Sequence, residues 1–403
     1  MNIQEIKNTL NYLLDNNLKL VEEGKGKIAY NIVGEAGIGK TACIQQLAAE
    51  RNAGYCRLNL SELEEIGDLV GVPVKECLMY SPEQEEFWVT EKLVDQYIHM
   101  GYTLCPTCLP RMSYAVPAWV PQNPDQEFIL FLDDFSRSNP LFMQAIMSLV
   151  QFGEYVSWKL PKKCHLILSS NPDNGEYNVT GLDLAQQSRM INFNVDFDLN
   201  VFANWMEKQN MRSELINFPL LVPEMFTRKN NGQTVNTVNA RSYTMFANAI
   251  SSLPNFDSDK SLEMICMIAK GCFGDDWVSG QFVQFIHNKL DKLIDPKDML
   301  NGEWKNVKER LEQNIYKENK YQAAIASTLT VRFTNYVENY FNSSTDKKKS
   351  EKVIDRIIEL CTDTDKTLLT EDLIYKMVKG LNAKYPQRCT KMLKYPQIRG
   401  KLL

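Results

Sequence analysis

The chain has 403 residues, 45 Lys and Arg against 50 Asp and Glu, a formal charge of −5 and 44% hydrophobic residues. So slight a charge argues against a protein devoted wholly to coating nucleic acid, and the apolar content excludes disorder along the whole chain. The length suggests two or three domains, no run reaches the roughly 18–20 apolar residues of a membrane span, and the N-terminus is not expected to be a secretion signal, because MNIQEIKNTLNYLL lacks a basic region followed by an apolar one.

The first segment predicts a helix. Ile3, Ile6, Leu10, Leu13, Leu14 and Leu18 recur at three- and four-residue spacing, and Gly24 and Gly26 end it. Five short apolar runs follow: IAYNIV (28–33), YCRLNL (55–60), FILFL (128–132), HLILSS (165–170) and MINFNV (190–195). Separated by helical stretches, they predict a parallel α/β sheet buried on both faces. Between the second and third runs lie about 65 residues, read as an amphipathic helix over 83–100 and the loop CPTCLPRMSYAVPAWVP. Beyond residue 196 the strand signal stops. Helices are expected over 198–209, 240–252, 259–272, 276–294, 319–341, 350–361 and 370–380, with a polar loop at 341–350. The expected division is 1–196 for an α/β domain, 197–295 for a helical domain and 296–403 for a helical extension. From Lys376 onward the chain holds eight Lys and Arg, no acid, and KYPQ twice. That tail reads as a basic docking segment or, preferably, as two Pro-initiated helical turns with a solvated face.

One motif dominates. Gly34-Glu35-Ala36-Gly37-Ile38-Gly39-Lys40-Thr41 fits G-x-x-x-x-G-K-[ST], with an expected strand before it and an expected helix, opening through Ala42, after it. Glycines let successive N–H groups face one anion, and the helix N-terminus adds positive potential. Lys40 is expected to reach the β/γ phosphates and Thr41 to hold Mg²⁺. The run FILFL ends in Asp133-Asp134. Asp133 is a candidate Mg²⁺ ligand, and Asp134 a base for the attacking water. HLILSS ends in Asn171, whose uncharged amide can hold that water.

Taken in order, GEAGIGKT, DLVGVP (68–73), PAWVP (117–121), LFLDDFSRSNP (130–140), GEYVSWKLP (153–161), SSNPDNGEYNV (169–179) and SRMINF (188–193) resemble the AAA+ ATPases over residues 25–255. Within that family they are most similar to the MoxR-like group, in the branch that also holds McrB-type, dynein-like and MCM-type modules. The resemblance implies an AAA+ P-loop αβα sandwich whose five parallel strands run in the order 5-1-4-3-2. A helical lid and an all-helical C-terminal extension are expected to follow. It also implies Mg²⁺-dependent ATP hydrolysis between the subunits of a ring, expected to be a hexamer. Asn171 then looks like sensor 1, Arg189 like an arginine finger, and Arg241, in VNARSY, like sensor 2. Arg137 is a second arginine that could act across a subunit boundary. MoxR-like proteins imply chaperone-like remodelling of a protein client, commonly with a von Willebrand factor A-domain partner.

One departure matters: the family usually has Asp-Glu where this chain has Asp133-Asp134. The shorter carboxylate keeps a nucleotide-gated scaffold with little turnover as an alternative. A nucleic-acid-engaging AAA+ motor is another, through GEYVSWKLP and the basic tail. ATP is favoured over GTP by family habit alone.

The remaining signals are weak. Ten cysteines among 403 residues are too dilute for a disulfide scaffold and read as reduced thiols of a cytoplasm, and the Asn- and Lys-rich composition points to an AT-rich genome, bacterial or phage. Cys105-Pro-Thr-Cys108 is one C-x-x-C; Cys77, His99 and Cys164 could complete a zinc site only without any spacing signal, so two thiols are the expected reading. His165, inside a strand pattern, is expected to be core. Trp88 and Tyr102 are candidates for facing a client, with core packing the preferred reading.

Overall fold

The computed structural model describes residues 1–400 except 174–178, 228, 231–232, 235–237, 275, 344–346 and 364–365. The chain divides into two compact units, Met1–Phe197 and Asp198–Leu403.

In the first unit, α1 (Ile3–Glu22) is closed at its start by a capping box: the Asn2 side chain accepts from the Glu5 N–H, and the Glu5 carboxylate accepts from the Asn2 N–H. Five parallel strands follow, β1 (Ala29–Gly34), β2 (Gly54–Asn59), β3 (Phe128–Asp133), β4 (Cys164–Ser170) and β5 (Met190–Val195). They pair in the order β5-β1-β4-β3-β2, the order the AAA+ resemblance implies. β3 reads as a continuous apolar run because both faces are covered: Ile129, Leu130, Phe131 and Leu132 are all fully buried. On one face pack Ile6, Leu10 and Leu14 of α1 with Ile44 and Leu47 of α2 (Lys40–Glu50). On the other packs α3 (Pro140–Phe152), through Phe142, Met143 and Ile146. Asn139 caps α3, Pro140 opens it, and Gly153 ends it in left-handed backbone. A short helix, α4 (Leu184–Gln187), leads into β5.

The insertion after β2 corrects the sequence reading. Residues 83–100 are not one helix: Glu86–Thr90 is a strand, and only Val94–His99 is α-helical after a 3-10 turn. With Pro73–Tyr80, Thr103–Leu104 and Arg111–Tyr114 it forms a four-stranded antiparallel sheet. The turn is built by Ser81, whose hydroxyl accepts from the N–H groups of Glu83 and Glu85, and by Gln84 in left-handed backbone. Cross-strand pairs such as Leu78–Trp88 and Met79–Phe87 outweigh the helical spacing. Trp88 lies 4.0 Å beneath the Arg111 guanidinium, and Tyr102 packs edge-on against Phe87 and Tyr97. Cys105 and Cys108 are joined as a disulfide, where two thiols were expected; the other eight cysteines are free.

Among the described residues the regular structure of the second unit is helical apart from two hairpins with two-residue strands, Lys229–Asn230 with Gln233–Thr234 and Tyr316–Lys317 with Lys320–Tyr321. Glu318 and Asn319, both at positive φ, make the second turn. The expected helix over 276–294 stops at His287, and Lys289 in left-handed backbone starts a 3-10 turn. Three helices had no forecast: Ser213–Leu221, Pro296–Asn301 and Trp304–Ile315. The loop expected at 341–350 is largely helical, since Ala323–Ser343 runs into it and Lys347–Thr362 begins within it. The two KYPQ repeats each start a four-residue helix with Pro at its first position, Pro386–Cys389 and Pro396–Arg399. Lys384 pairs with Glu338 and Lys391 with Asp355. At the centre of the unit, Arg332 is 1% exposed. Its guanidinium donates to Glu207 at 2.6 Å, Asn217 at 3.0 Å, Ser213 at 3.2 Å and Asp295 at 3.3 Å. Among the described residues no helix is long and apolar enough to cross a membrane.

Candidate nucleotide site

Parallel pairing brings the C-terminal ends of β1, β3 and β4 side by side, and the sequence motifs sit on those three ends. The loop after β1 is tight. A Cβ on Gly34 would come within 2.7 Å of both Ile38 Cδ1 and the Val195 carbonyl of β5, so only glycine fits. Gly39, at φ 98°, turns the chain into α2. A Cβ there would meet nothing within 4 Å, so the loop faces open space at the helix N-terminus.

Lys40 is buried, at 8% exposure, and its ammonium points back across the loop. It donates to the Gly34 carbonyl, to the Glu35 carbonyl at 3.0 Å and to Asn171 Oδ1 at 3.2 Å. Asn171, also buried, is held from behind by its own N–H, which donates to Ser136 Oγ at 3.0 Å. Thr41 Oγ1 donates to Asp133 Oδ2 at 3.0 Å. Lys40 and Thr41 of the loop motif, Asp133 at the end of β3 and Asn171 after β4, drawn from three separate sequence motifs, therefore form one connected group.

Asp133 is more heavily supported than its motif suggests. Arg57 Nε of β2 donates to the same Oδ2 at 2.7 Å, and Ser169 Oγ of β4 donates to Oδ1. Burial pushes this carboxyl up, but the hydrogen bonds from Ser169, Arg57 and Thr41 outweigh it and hold the group below the ordinary aspartate range. Asp134 sits beyond the strand end at φ 55°, with its N–H donating to Ser169 Oγ and Asp133 Oδ1, both at 3.2 Å. Arg57, Ser136 and Ser169 were not singled out from the sequence. The available signals were a lone cation inside the β2 pattern and the serines flanking the paired acids and Asn171.

The arginines lie apart from this group. Arg137 is exposed at the end of a 3-10 turn after Asp134. Arg189 is exposed at the N-terminal end of β5. In the register, Met190 stands opposite Ala29 and Val195 opposite Gly34. Arg189 is thus separated from its own loop by the length of the sheet, about 17 Å of strand. It borders a pocket of about 280 Å³ with Lys27, Gln151 and Ser188. Arg241 is exposed in the first turn of the helix Ala240–Ile250 of the second unit, behind an Asn239 cap. None of the three has a side-chain hydrogen bond or ion pair among the described residues. His165 is core, at 1% exposure, with Nε2 3.2 Å from Glu127 Oε1.

The residues present fit a magnesium nucleotide. Thr41 and Asp133 present hard oxygen donors beside the loop, and Mg²⁺ commonly takes only one or two protein ligands when phosphates supply the rest. The open cradle at Gly39, flanked by Glu35, Ala36, Ile38 and Ala42, leaves room for phosphate oxygens.

No protein-family model and no curated protein sequence matches the chain. Among solved structures it is similar to two variants of RuvB from Thermotoga maritima. A lysine-to-arginine mutant shares 13% identity over 74% of each chain, with a TM-score of 0.35. A proline-to-glycine mutant shares 14% over 80% of this chain and 82% of that one, with a TM-score of 0.34. Likeness at this level carries no argument about activity, which rests on the geometry of the site.

Proposed function

We propose that this protein is an AAA+ nucleoside triphosphatase, using Mg²⁺ and hydrolysing ATP between the subunits of a ring, with six as the expected number. The observation that carries the reading is the convergence of Lys40, Thr41, Asp133 and Asn171 at neighbouring strand ends. In this reading the backbone from Gly34 to Ala42 wraps the phosphates, and Lys40 exchanges its carbonyl partners for phosphate oxygens. Thr41 and Asp133 hold Mg²⁺, which when bound neutralises phosphate charge. Asp134 takes the proton of the attacking water, and Asn171 orients that water. Arg189 serves the site of the adjoining subunit, because the sheet keeps it from its own. Arg241 contacts nucleotide from a lid formed by residues 197–295, and Arg137 is a second candidate across the boundary. Residues 296–403 form an extension.

The client is a protein remodelled in a chaperone-like way in the cytoplasm, with a von Willebrand factor A-domain partner as the specific expectation. That part rests on resemblance to MoxR-like proteins. A scaffold with slow turnover is the second reading, favoured by the short side chain of Asp134. The nucleic-acid motor draws less support, since Lys384 and Lys391 of the basic tail are paired with acids of their own unit.

The test is steady-state hydrolysis of ATP and of GTP across protein concentration, with Lys40→Ala as control. Turnover that climbs steeply with concentration and vanishes in the control is expected. Nucleotide binding without turnover at every concentration overturns the hydrolase reading in favour of the scaffold.

A further inference from the structure

A second polar line leaves the nucleotide site and runs across the sheet. Asn31, in the middle of β1, is fully buried. A buried amide is costly unless both ends are paired, and valine or isoleucine would fill a central strand at lower cost. Here both ends are paired. Asn31 Oδ1 accepts from Ser170 Oγ at 2.9 Å, and its Nδ2 donates to Asn192 Oδ1 at 2.9 Å, directly opposite on β5. Asn192 Nδ2 in turn donates to the Gln187 carbonyl at 3.1 Å and the Met190 carbonyl at 3.4 Å. Those two carbonyls bracket Ser188 and Arg189. At the other end, Ser170 immediately precedes Asn171, whose side chain meets Lys40.

We propose that Asn31 and Asn192 are positioning residues that transmit engagement of nucleotide at Asn171 to the backbone carrying Arg189. The inference rests on the proposed role of Arg189 as a residue serving the adjoining subunit. It adds a direction: what a subunit holds in its own site governs how it presents its arginine to the next. The line spans three adjacent strands, β4, β1 and β5, and each crossing between strands is a hydrogen bond inside one unit. Hydrogen-bonded chains of this kind respond as a set, and their coupling is measured by combining substitutions.

The test combines Asn192→Ala with Arg189→Ala in the full-length chain. It follows ATP turnover, affinity for a fluorescent ATP analogue and melting temperature. Asn192 is exposed on an edge strand, so the chain still folds without its side chain, although the buried Asn31 Nδ2 then loses its acceptor and stability falls modestly. The expected result is a fall in kcat of about threefold to tenfold, with analogue affinity unchanged and melting temperature lowered modestly and equally on both backgrounds. On the Arg189→Ala background the same substitution produces no further fall in kcat, because it acts through that arginine. Asn31→Val is expected to show the same pattern; if it folds poorly, Asn192→Ala alone decides. An equal fall in kcat on both backgrounds overturns the relay, since a general structural effect multiplies with any other. No fall with Asn192→Ala, while Arg189→Ala remains crippling, overturns the relay and leaves the arginine's role standing. Full turnover in Arg189→Ala removes that role and the relay together.

Discussion

Both units bury polar side chains, and they use them differently. In the second unit Arg332 is saturated: Glu207, Asn217, Ser213 and Asp295 receive its guanidinium, and the result ties the helices Leu199–Lys208, Ser213–Leu221 and Ala323–Ser343 together. In the first unit the buried polar residues Lys40, Asp133, Ser169 and Asn171 gather at one end of the sheet, beside an open loop. Its arginines at positions 137 and 189 are exposed and without partners among the described residues. One residue type therefore serves two ends. A guanidinium enclosed by acceptors from several helices is architecture, and one held at the surface with nothing to satisfy it is available to something outside the fold.

The contrast is sharpest at Arg332. Arg332→Met removes one side of a buried charge pair and strands Glu207, which is 15% exposed. The expected loss is about 3–5 kcal/mol, read by urea unfolding as a destabilised second unit. A loss within the error of the measurement would show that the network is dispensable and break the comparison. Next comes Asp134→Asn in the first unit, which removes the charge and keeps a side chain that tolerates the left-handed backbone. Turnover is expected to fall about a hundredfold, with nucleotide affinity and melting temperature unchanged. If turnover persists, the base lies elsewhere.

The smallest effect is expected at Glu127, at the end of the first unit opposite the nucleotide site. Its carboxylate accepts from Arg51 Nε at 2.7 Å and faces His165. Burial pushes the carboxyl up, but hydrogen bonds from His165 and Arg51 hold it below the ordinary glutamate range. A depressed carboxyl contributes stability above its unfolded pKa of about 4.3, and that contribution is lost as pH falls through the folded value. Glu127→Gln should therefore cost about 1 kcal/mol at neutral pH, converge with the parent below about pH 4 and leave turnover untouched. A change in turnover would make this end of the sheet part of the site.

What the sequence revealed and what it hid follow one rule. The five strands were legible because each is a short apolar run closed by turn residues, and because parallel strands buried on both faces need no alternation. The phosphate loop was legible because its glycines meet a local steric demand. The insertion was misread because EFWVTEKLVDQYIH satisfies helical spacing, while its pairing with Pro73–Tyr80 depends on a partner strand that local spacing does not mark. Arg57 was missed for the same reason: its role exists only because β2 lies beside β3. Arg332, inside a helix, carries no local mark of the acids and amides that surround it. Contacts made within a few residues are written in the local sequence; contacts made by neighbouring elements are written only in the topology.

The distance between Arg189 and its own phosphate loop has a consequence for inheritance. In the proposed ring, a copy that lacks the arginine still binds nucleotide and still takes its place, but the site beside it falls silent. A minority of defective copies would then disable a larger share of assemblies than their number suggests. Such an allele would behave as dominant over the intact one, whereas an allele that merely unfolds the chain would be recessive.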